Sequence, residues 1–364
     1  MPSSIIHNLL EKYLETVKTF LPEKIVKPTV GLDVGTHSCK AVEVIPTENG
    51  LEILRWAIVP IVGGLVSDAI KKALSKMGME TKSPSVAVSG HGTLIRYMNL
   101  PRMSLEELRK SVLTEADKHF PFPKDQIYVD CYLLESAGKE NQVPVLVAAA
   151  KKEIVDQRIK FLSEAGLQVN FIGINILAIA NIFSIVAKED LFKKNIAPEG
   201  GKSNIIAVLD MGETLSSLVI LQNNLPIFTR DIFIGGRDLN KRIGNIFNVD
   251  MKEAERIKCD PRDKIEVILN ACDSILVNLV SEARLSFDYL TAEKNIQVSK
   301  LYITGGASLL TGVGEFFSKN LDIPVEKWNP LPFFKIAPDI SAGELNKDIN
   351  QLGVALGLAL YRYD

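Results

Sequence analysis

The chain has 364 residues, of which 46% are hydrophobic and 24% are charged. This composition is too apolar for a disordered protein, and the length predicts at least two domains. Lysine and arginine number 42 and aspartate and glutamate 44, which gives a formal net charge of −2. Because no global positive field is present to hold a polyanion, we expect no nucleic-acid partner.

The four cysteines and four histidines form no disulfide or zinc pattern. The cysteines contain no C-x-x-C pair and are too sparse for a disulfide framework, which favours a reducing cytoplasm. The histidines lack the spacing of zinc ligands, so any metal is expected to be held by oxygen atoms.

Two apolar segments are candidates for membrane contact, and neither has the composition for it. Residues 1–26 are predicted to form an amphipathic helix. Its charges exclude a signal peptide, and its mixed polar face favours docking on protein over contact with lipid. The uncharged stretch 165–187 carries scattered polar side chains that are costly in lipid. It predicts instead a buried strand that runs into a buried helix.

The strongest pattern is a unit of strand, acidic turn and second strand that occurs twice. Segments 29–35 and 204–212 can be aligned, because they end in Leu-Asp-Val-Gly and Leu-Asp-Met-Gly. In this alignment Asp33 corresponds to Asp210. Such an internal repeat predicts two related halves that face one another. A third strand and turn, 300–306, ends in a pair of glycines.

Between the two copies, residues 85–165 indicate the order strand, strand, helix, strand, strand, helix. Ser104 and Glu107 form a capping-box pattern that begins the first of these helices. Beyond the second copy we expect helices over 239–247, after Asp250 and over 265–291. Residues 349–361 are apolar enough for a buried terminal helix.

The turns of the repeat have the composition of a phosphate site, because backbone N–H groups in tight turns cradle phosphates and small residues permit the approach. Asp33 and Asp210 are placed to hold Mg²⁺, which favours a few carboxylates and water. Lys40 follows the first turn and can reach a phosphate oxygen. The candidate turn residues are Gly35, Thr36, His37, Ser38, Gly212, Glu213 and Thr214.

The third turn consists of Gly305, Gly306, Ala307 and Ser308. Its backbone offers a flat surface on which a base can rest. A tight connection from strand to helix explains the glycines equally well.

The order of these features resembles the actin, Hsp70 and hexokinase-like ATPase superfamily over residues 30–361. The resemblance implies an actin-like α/β fold, which is a duplicated ribonuclease H-like architecture, with an inserted α+β subdomain in the first half. It also implies ATP or ADP, with Mg²⁺, as cofactors. Glu255 and Lys258 are similar to the E-x-x-K pair by which relatives hold the ribose and base.

Within the superfamily the chain resembles the PilM family of type IV pilus assembly, and then the FtsA family of cell division. Segments 100–108 and 115–122 carry the similarity to PilM, and the chain stops at Asp364 without the linker and membrane helix expected of FtsA. The resemblance implies binding of the N-terminal cytoplasmic peptide of PilN and an indirect link to the pilus motor ATPases. It further implies a cytoplasmic location, peripheral to the inner membrane through protein partners.

The resemblance also implies a division of the chain into five units. They are an N-terminal helix (1–26), a first core subdomain (28–84, 170–202 and 349–364), the inserted subdomain (85–169), a second core subdomain (203–235 and 299–348) and a helical subdomain on the nucleotide side (236–298).

One departure from active relatives concerns hydrolysis. Those enzymes place a carboxylate or Gln near the helix that links the halves, to orient the attacking water. Region 173–177 offers only Asn175, whose amide can hold a water but is a poor base. We therefore expect slow or absent ATP hydrolysis. Two alternatives stay open: an FtsA-like, membrane-tethered protein that self-associates into filaments, and a small-molecule kinase of the same superfamily.

Overall fold

The computed structural model describes residues 27–48, 50–78, 83–134, 141–188 and 205–361. The helix predicted for residues 1–26 lies outside these ranges. The strands within them are β1 (Thr29–Val34), β2 (Ser38–Thr47), β3 (Gly50–Pro60), β4 (Ser85–Val88), β5 (Thr93–Pro101), β6 (Ile127–Leu133), β7 (Gln142–Lys151), β8 (Phe171–Ile174), β9 (Ile205–Met211), β10 (Ser216–Gln222), β11 (Leu225–Ile232), β12 (Lys300–Thr304), β13 (Val325–Lys327) and β14 (Phe334–Ile336).

The α-helices of the same ranges are α1 (Val66–Lys76), α2 (Leu105–Thr114), α3 (Ala116–His119), α4 (Lys152–Glu164), α5 (Asn175–Lys188), α6 (Gly236–Phe247), α7 (Met251–Cys259), α8 (Ile265–Lys294), α9 (Val313–Leu321), α10 (Ala342–Asp348) and α11 (Gly353–Ala359). None of these helices has the length and apolar content needed to cross a membrane. The predicted helices after the second copy of the repeat are confirmed as α6, α7 and α8.

The first lobe is built on a six-stranded sheet in the order β14-β3-β2-β1-β4-β8. β1 pairs antiparallel with β2, which places Asp33 opposite Lys40, and parallel with β4. Every residue of β1 is buried, as expected of a central strand that is covered on both faces. Helices α1 and α4 pack on one face, and α5 and α11 pack on the other.

The second lobe is built on a five-stranded sheet in the order β11-β10-β9-β12-β13. β9 alternates its side chains between two cores, because Leu209 and Met211 face α6 and α8 whereas Ile206 and Val208 face α5 and α11. The core around α5 and α11 therefore receives side chains from both sheets, which joins the two lobes through one apolar interior.

A three-stranded sheet in the order β5-β7-β6, covered by α2, forms the inserted part. The capping box is confirmed: Ser104 Oγ accepts from the Glu107 backbone N–H, and the Glu107 carboxylate accepts from the Ser104 N–H at 2.9 Å. Strand β4, predicted to begin the inserted segment, instead pairs with β1 and β8 in the first lobe. The remaining subdomain boundaries stay predictions.

The predicted terminal helix is confirmed as a 3₁₀ turn at Ile349–Gln351 followed by α11, and α11 packs backbone to backbone against its neighbours. A Cβ on Gly31 of β1 would lie 1.8 Å from the carbonyl oxygen of Ala355, and one on Gly357 would lie 1.8 Å from that of Ala178 in α5. Thr29 Oγ1 also donates a short hydrogen bond to the Ala359 carbonyl. Glycine at these contacts lets α11 sit between β1 and α5.

Candidate functional site

The two copies of the repeat form hairpin turns with the same internal hydrogen bond. The Gly35 N–H donates to the Ser38 carbonyl at 3.1 Å, and the Gly212 N–H donates to the Leu215 carbonyl at 3.0 Å. The turns belong to different lobes, yet they meet at their tips, where the hydroxyl oxygens of Thr36 and Thr214 lie 3.3 Å apart. The structure therefore brings the two predicted phosphate turns to one place between the lobes.

Two carboxylates and one lysine lie behind these turns. Lys40 Nζ donates to Asp33 Oδ2 at 2.9 Å, and both side chains are largely buried. Burial lowers the pKa of Lys40, but the charge of Asp33, its hydrogen bond and the charge of Asp210 outweigh burial and raise that pKa overall. Burial, followed by repulsion from Asp33, raises the pKa of Asp210 to about 6.

The two carboxylates of the cleft, Asp33 and Asp210, repel each other. Asp210 loses its proton less readily than an exposed aspartate, because it is buried and because a second carboxylate lies near it. Asp33 and Asp210 are the residues that could hold a divalent cation, whose charge would relieve that repulsion. No group of three or more His, Cys, Asp or Glu side chains is placed around a common point in the described ranges, so a metal here relies on these two carboxylates, phosphate and water.

The third turn packs directly against the second. Gly305 has φ of +86°, and a Cβ there would lie 2.4 Å from Asp210 Oδ1 and 2.5 Å from the Met211 carbonyl oxygen. Its N–H donates to the Asn350 carbonyl at 2.7 Å, and Ser308 Oγ donates to the Gly305 carbonyl at 2.7 Å. Gly305 is therefore required both by its backbone conformation and by the close approach to the Asp210 carboxylate.

The pair Glu255 and Lys258 lies in the same cleft. Lys258 Nζ is almost fully buried and donates to Glu255 Oε2 at 2.5 Å, and Asn240 Nδ2 donates to the same oxygen at 2.5 Å. A Cβ on Gly236 would lie 3.2 Å from Glu213 Oε2, 3.2 Å from Lys258 Nζ and 3.4 Å from Ala307 Cβ. The second turn, helix α7 with Glu255 and Lys258, and the third turn therefore converge at Gly236.

Sequence reasoning missed two residues of this cleft. Asn240 donates its side-chain amide to Glu255, and its Oδ1 is buried without a hydrogen-bond partner among the residues that the structure describes. Gly235 approaches the second turn so closely that a Cβ would lie 2.6 Å from the Glu213 carbonyl oxygen. The adjacent glycines 235 and 236 at the start of a helix could have indicated Gly235. Nothing in the local sequence distinguishes Asn240.

Among the described residues, the predicted site residues Asn175 and His37 make no side-chain hydrogen bond within the cleft. Asn175 is the first residue of α5, directly after β8, and is partly exposed. His37 is exposed on the first turn, where its carbonyl oxygen accepts from the Ile61 N–H at 2.8 Å. The assignment of water positioning to Asn175 stays a prediction.

A second concave site, which we term the edge groove, has a volume of about 700 Å³. It is lined by residues 128–132 of β6 and by the whole of β8. Consecutive strand residues point to opposite faces, so a cavity lined by such a run follows the edge of the strand. In the described part of the chain, β6 and β8 each lie at the edge of their sheets. The groove therefore runs between two sheet edges.

The walls of the edge groove are mainly apolar. Ile159 of α4, Leu177 of α5 and Pro226 of the second lobe close its sides. Tyr128 and Tyr132 are about half exposed along it, which is unusual for side chains of this size. Polar contacts at the rim include the ion pair of Arg109 and Asp130 at 2.8 Å.

Comparison with known proteins places the fold and the family. A family model described as Type IV pilus assembly protein PilM matches residues 31–363. The solved PilM-PilN type IV pilus biogenesis complex is similar with a TM-score of 0.79 and 26% identity, covering 92% of this chain and 98% of that chain. Ethanolamine utilization protein EutJ from Carboxydothermus hydrogenoformans, at 17% identity and a TM-score of 0.50 over 97% of this chain and 98% of its own, shares the fold.

The cell division protein FtsA of Bacillus subtilis (strain 168) is 23% identical over 264 residues, which are 63% of this chain and 57% of FtsA. The chain thus spans little more than half the length of this curated relative. Two facing lobes with repeated hairpin turns define an actin-like protein. Within that class, the chain belongs to the family of type IV pilus assembly protein PilM. The resemblance predicted from the sequence is confirmed.

Proposed function

We propose that this chain is a nucleotide-binding scaffold of the type IV pilus inner-membrane complex. It binds Mg·ATP or ADP between its two lobes and the N-terminal cytoplasmic peptide of a PilN-type partner in the edge groove. Through that partner it associates with the inner membrane and connects indirectly to the pilus motor ATPases. Nucleic acid has no role in this proposal, consistent with the net charge of −2.

The observation that carries the nucleotide proposal is the convergence of chain segments from both lobes on one cleft. Thr36 and Thr214 join the two turns, and Gly236 lies against Glu213, Lys258 and Ala307. These contacts assemble residues that are far apart in the chain. A glycine turn with positive φ, two neighbouring carboxylates and a buried lysine all lie at this point. Such features lower the stability of a protein, and they are typical of ligand sites.

Each group in the cleft has a role that its chemistry suits. The N–H groups and hydroxyls of the two turns donate hydrogen bonds to phosphate oxygens, and Lys40 places a positive charge near these oxygens. Asp33 and Asp210 hold Mg²⁺, which neutralises the phosphate chain when it is bound. Glu255 and Lys258 contact the ribose and base, and the backbone from Gly305 to Ser308 supports the base.

Nucleotide serves as a structural or switching ligand in this proposal. Phosphoryl transfer to water depends on a positioned group that orients the attacking water. Asn175 can hold a water but cannot accept its proton at neutral pH. Turnover is therefore expected to be slow or absent.

The edge groove supports the partner proposal by its shape and apolarity. The solved PilM-PilN complex resembles this chain, and an extended peptide is the form of partner that fits a cleft between two strand edges. Apolar side chains of the peptide would contact Ile159, Leu177 and the tyrosines of β6.

The test measures the affinities for both ligands, and the rate of ATP hydrolysis, on the same purified protein. Titration of Mg·ATP and Mg·ADP by calorimetry gives nucleotide affinity, a single-turnover assay gives hydrolysis, and fluorescence anisotropy of a labelled PilN-type N-terminal peptide gives partner affinity. The proposal expects saturable binding of both, with negligible turnover. Absence of nucleotide binding overturns the cleft assignment, and rapid turnover without a partner favours an enzyme of the same superfamily.

A further inference from the structure

Arg158 of α4, a helix packed on the sheet of the first lobe, reaches the end of β1 at the first phosphate turn. Its Nη1 donates to the carbonyl oxygen of Val34 at 2.7 Å. Val34 stands between Asp33, the proposed metal ligand, and Gly35, the first residue of the turn. The backbone of the turn is thus held from outside the core hairpin by a charged side chain.

The Arg158 guanidinium is largely shielded from solvent and lies within reach of the charge of Asp33. Burial lowers the pKa of Arg158, and the negative charge of Asp33 acts in the opposite direction. Arginine remains charged under these conditions, so Arg158 adds a second positive charge near Asp33 beside that of Lys40. A hydrogen bond from a charged donor to a buried carbonyl also fixes the position of that carbonyl better than a neutral one.

The same helix forms a wall of the edge groove. Val155 and Ile159 both line the groove and lie one turn apart on α4, and Arg158, three residues after Val155, is the neighbour of Val155 on the helix surface. Leu162 is fully buried in the core of the first lobe, and Glu164 accepts a hydrogen bond from Ser67 of α1 at 2.7 Å. α4 is therefore a packed, stiff element that contacts the groove on one side and the phosphate turn on another.

We propose that Arg158 is a positioning residue that couples the edge groove to the nucleotide cleft. This inference rests on the proposed function, because it requires that both sites bind their ligands. A peptide packed on Val155 and Ile159 favours one position of the rigid helix α4 against the first lobe, and α4 through Arg158 then holds the Val34 carbonyl and hence the first turn in one position. Each ligand then favours the arrangement that the other needs, so the coupling is positive and equal in both directions.

The experiment measures Mg·ATP affinity without and with saturating peptide, and peptide affinity without and with saturating Mg·ATP. The proteins are wild type, Arg158→Met, Arg158→Lys and the control Lys160→Met, which removes an exposed cation from the same helix. Wild type is expected to show at least about fivefold tightening of each ligand by the other. In Arg158→Met the coupling factor, which is the change in affinity for one ligand when the other is bound, is expected to fall to about one. Mg·ATP alone is expected to bind about tenfold more weakly than to wild type, whereas peptide alone binds as in wild type.

Arg158→Lys retains the charge near Asp33, so it is expected to recover part of the Mg·ATP affinity, and it also serves if Arg158→Met does not fold. Lys160→Met is expected to match wild type in all four measurements. Wild-type protein that binds both ligands without coupling overturns the inference, as does an Arg158→Met variant that keeps the wild-type coupling factor. Wild-type protein that fails to bind one of the ligands contradicts the proposed function instead.

Discussion

Thr36 and Thr214 stand on turns from opposite lobes, and their hydroxyl oxygens are 3.3 Å apart. This contact is the point at which the two copies of the internal repeat meet. Both hydroxyls are exposed to the cleft, so the hydrogen bond itself contributes about 1 kcal/mol or less to the stability of the protein. Their placement at the tips of two phosphate turns indicates that their larger contribution is to ligand binding.

The first prediction concerns these hydroxyls. Thr36→Val and Thr214→Val preserve side-chain shape, and each is expected to weaken Mg·ATP binding about tenfold, since each removes a hydrogen bond to a charged group. Calorimetric titration checks this. Thr114→Val, which removes an exposed hydroxyl on α2, is the matched control and should bind as wild type does. Wild-type affinity in both turn variants would contradict the placement of phosphate between the turns.

The second prediction follows from the raised pKa of Asp210, about 6 in the folded protein against 3.8 for an ordinary aspartate. Because the folded-state pKa is raised, the contribution of this group to stability is complete below about pH 4 and is lost as the pH rises through about 6. Asp210→Asn mimics the neutral form. The ligand-free variant is therefore expected to exceed wild type in stability by about 2 kcal/mol at pH 7.5, with little difference at pH 4.

Thermal unfolding from pH 4 to pH 8 measures this difference, with Asp288→Asn as a control for loss of an exposed carboxylate on α8. Ligand binding is expected to respond in the opposite sense, because Mg²⁺ requires the ionised carboxylate. Wild-type affinity for Mg·ATP should decrease below about pH 6, and that of Asp210→Asn should be weak throughout. A destabilised Asp210→Asn protein at pH 7.5 would refute the assignment of a costly charge to this position.

The third prediction concerns Gly305. Alanine there places a Cβ 2.4 Å from Asp210 Oδ1 on a backbone with φ of +86°. We expect Gly305→Ala to lose about 1–3 kcal/mol of stability and measurable Mg·ATP binding, because the carboxylate must move. Gly306→Ala is the matched control for stability, since the nearest atom to its Cβ, Gln351 Oε1, is 3.7 Å away. Chemical denaturation of both variants checks the prediction, and equal losses would argue against a specific contact with Asp210.

The fourth prediction separates the edge groove from the nucleotide cleft. Ile159→Glu introduces a charge into an apolar wall, so peptide affinity is expected to fall at least about tenfold while Mg·ATP affinity without peptide stays unchanged. Leu285→Glu is the matched control, because Leu285 is exposed on α8 and does not line the groove. Anisotropy titration of the labelled peptide gives the comparison. Undiminished peptide binding by Ile159→Glu would place the partner on another surface.

The sequence was sufficient for those parts of the site that lie within single turns. Asp33 and Asp210 could be matched because the repeated unit preserves its local order, and strand, turn and acid are all local properties. The pairing of β14 with β3 and the approach of Gly236 to Lys258 could not be predicted, because they depend on how distant segments pack. The residues that line the edge groove could not be predicted either, since two strands that are separate in the chain supply its two edges.

The fifth prediction tests the contact between α5 and α11, which lies in the core that both lobes share. Gly357 of α11 lies so close to α5 that a Cβ would be 1.8 Å from the Ala178 carbonyl oxygen. Since backbone must move on both sides, Gly357→Ala is expected to cost more than about 3 kcal/mol of stability and to prevent accumulation of folded protein. Gly343→Ala in α10, where the nearest atom to a Cβ is 4.0 Å away, is the matched control. Alanine is the better helix former, so this control should equal or exceed wild type by up to about 1 kcal/mol in thermal unfolding. A folded Gly357→Ala protein with wild-type stability would show that α11 does not pack against α5 in this way.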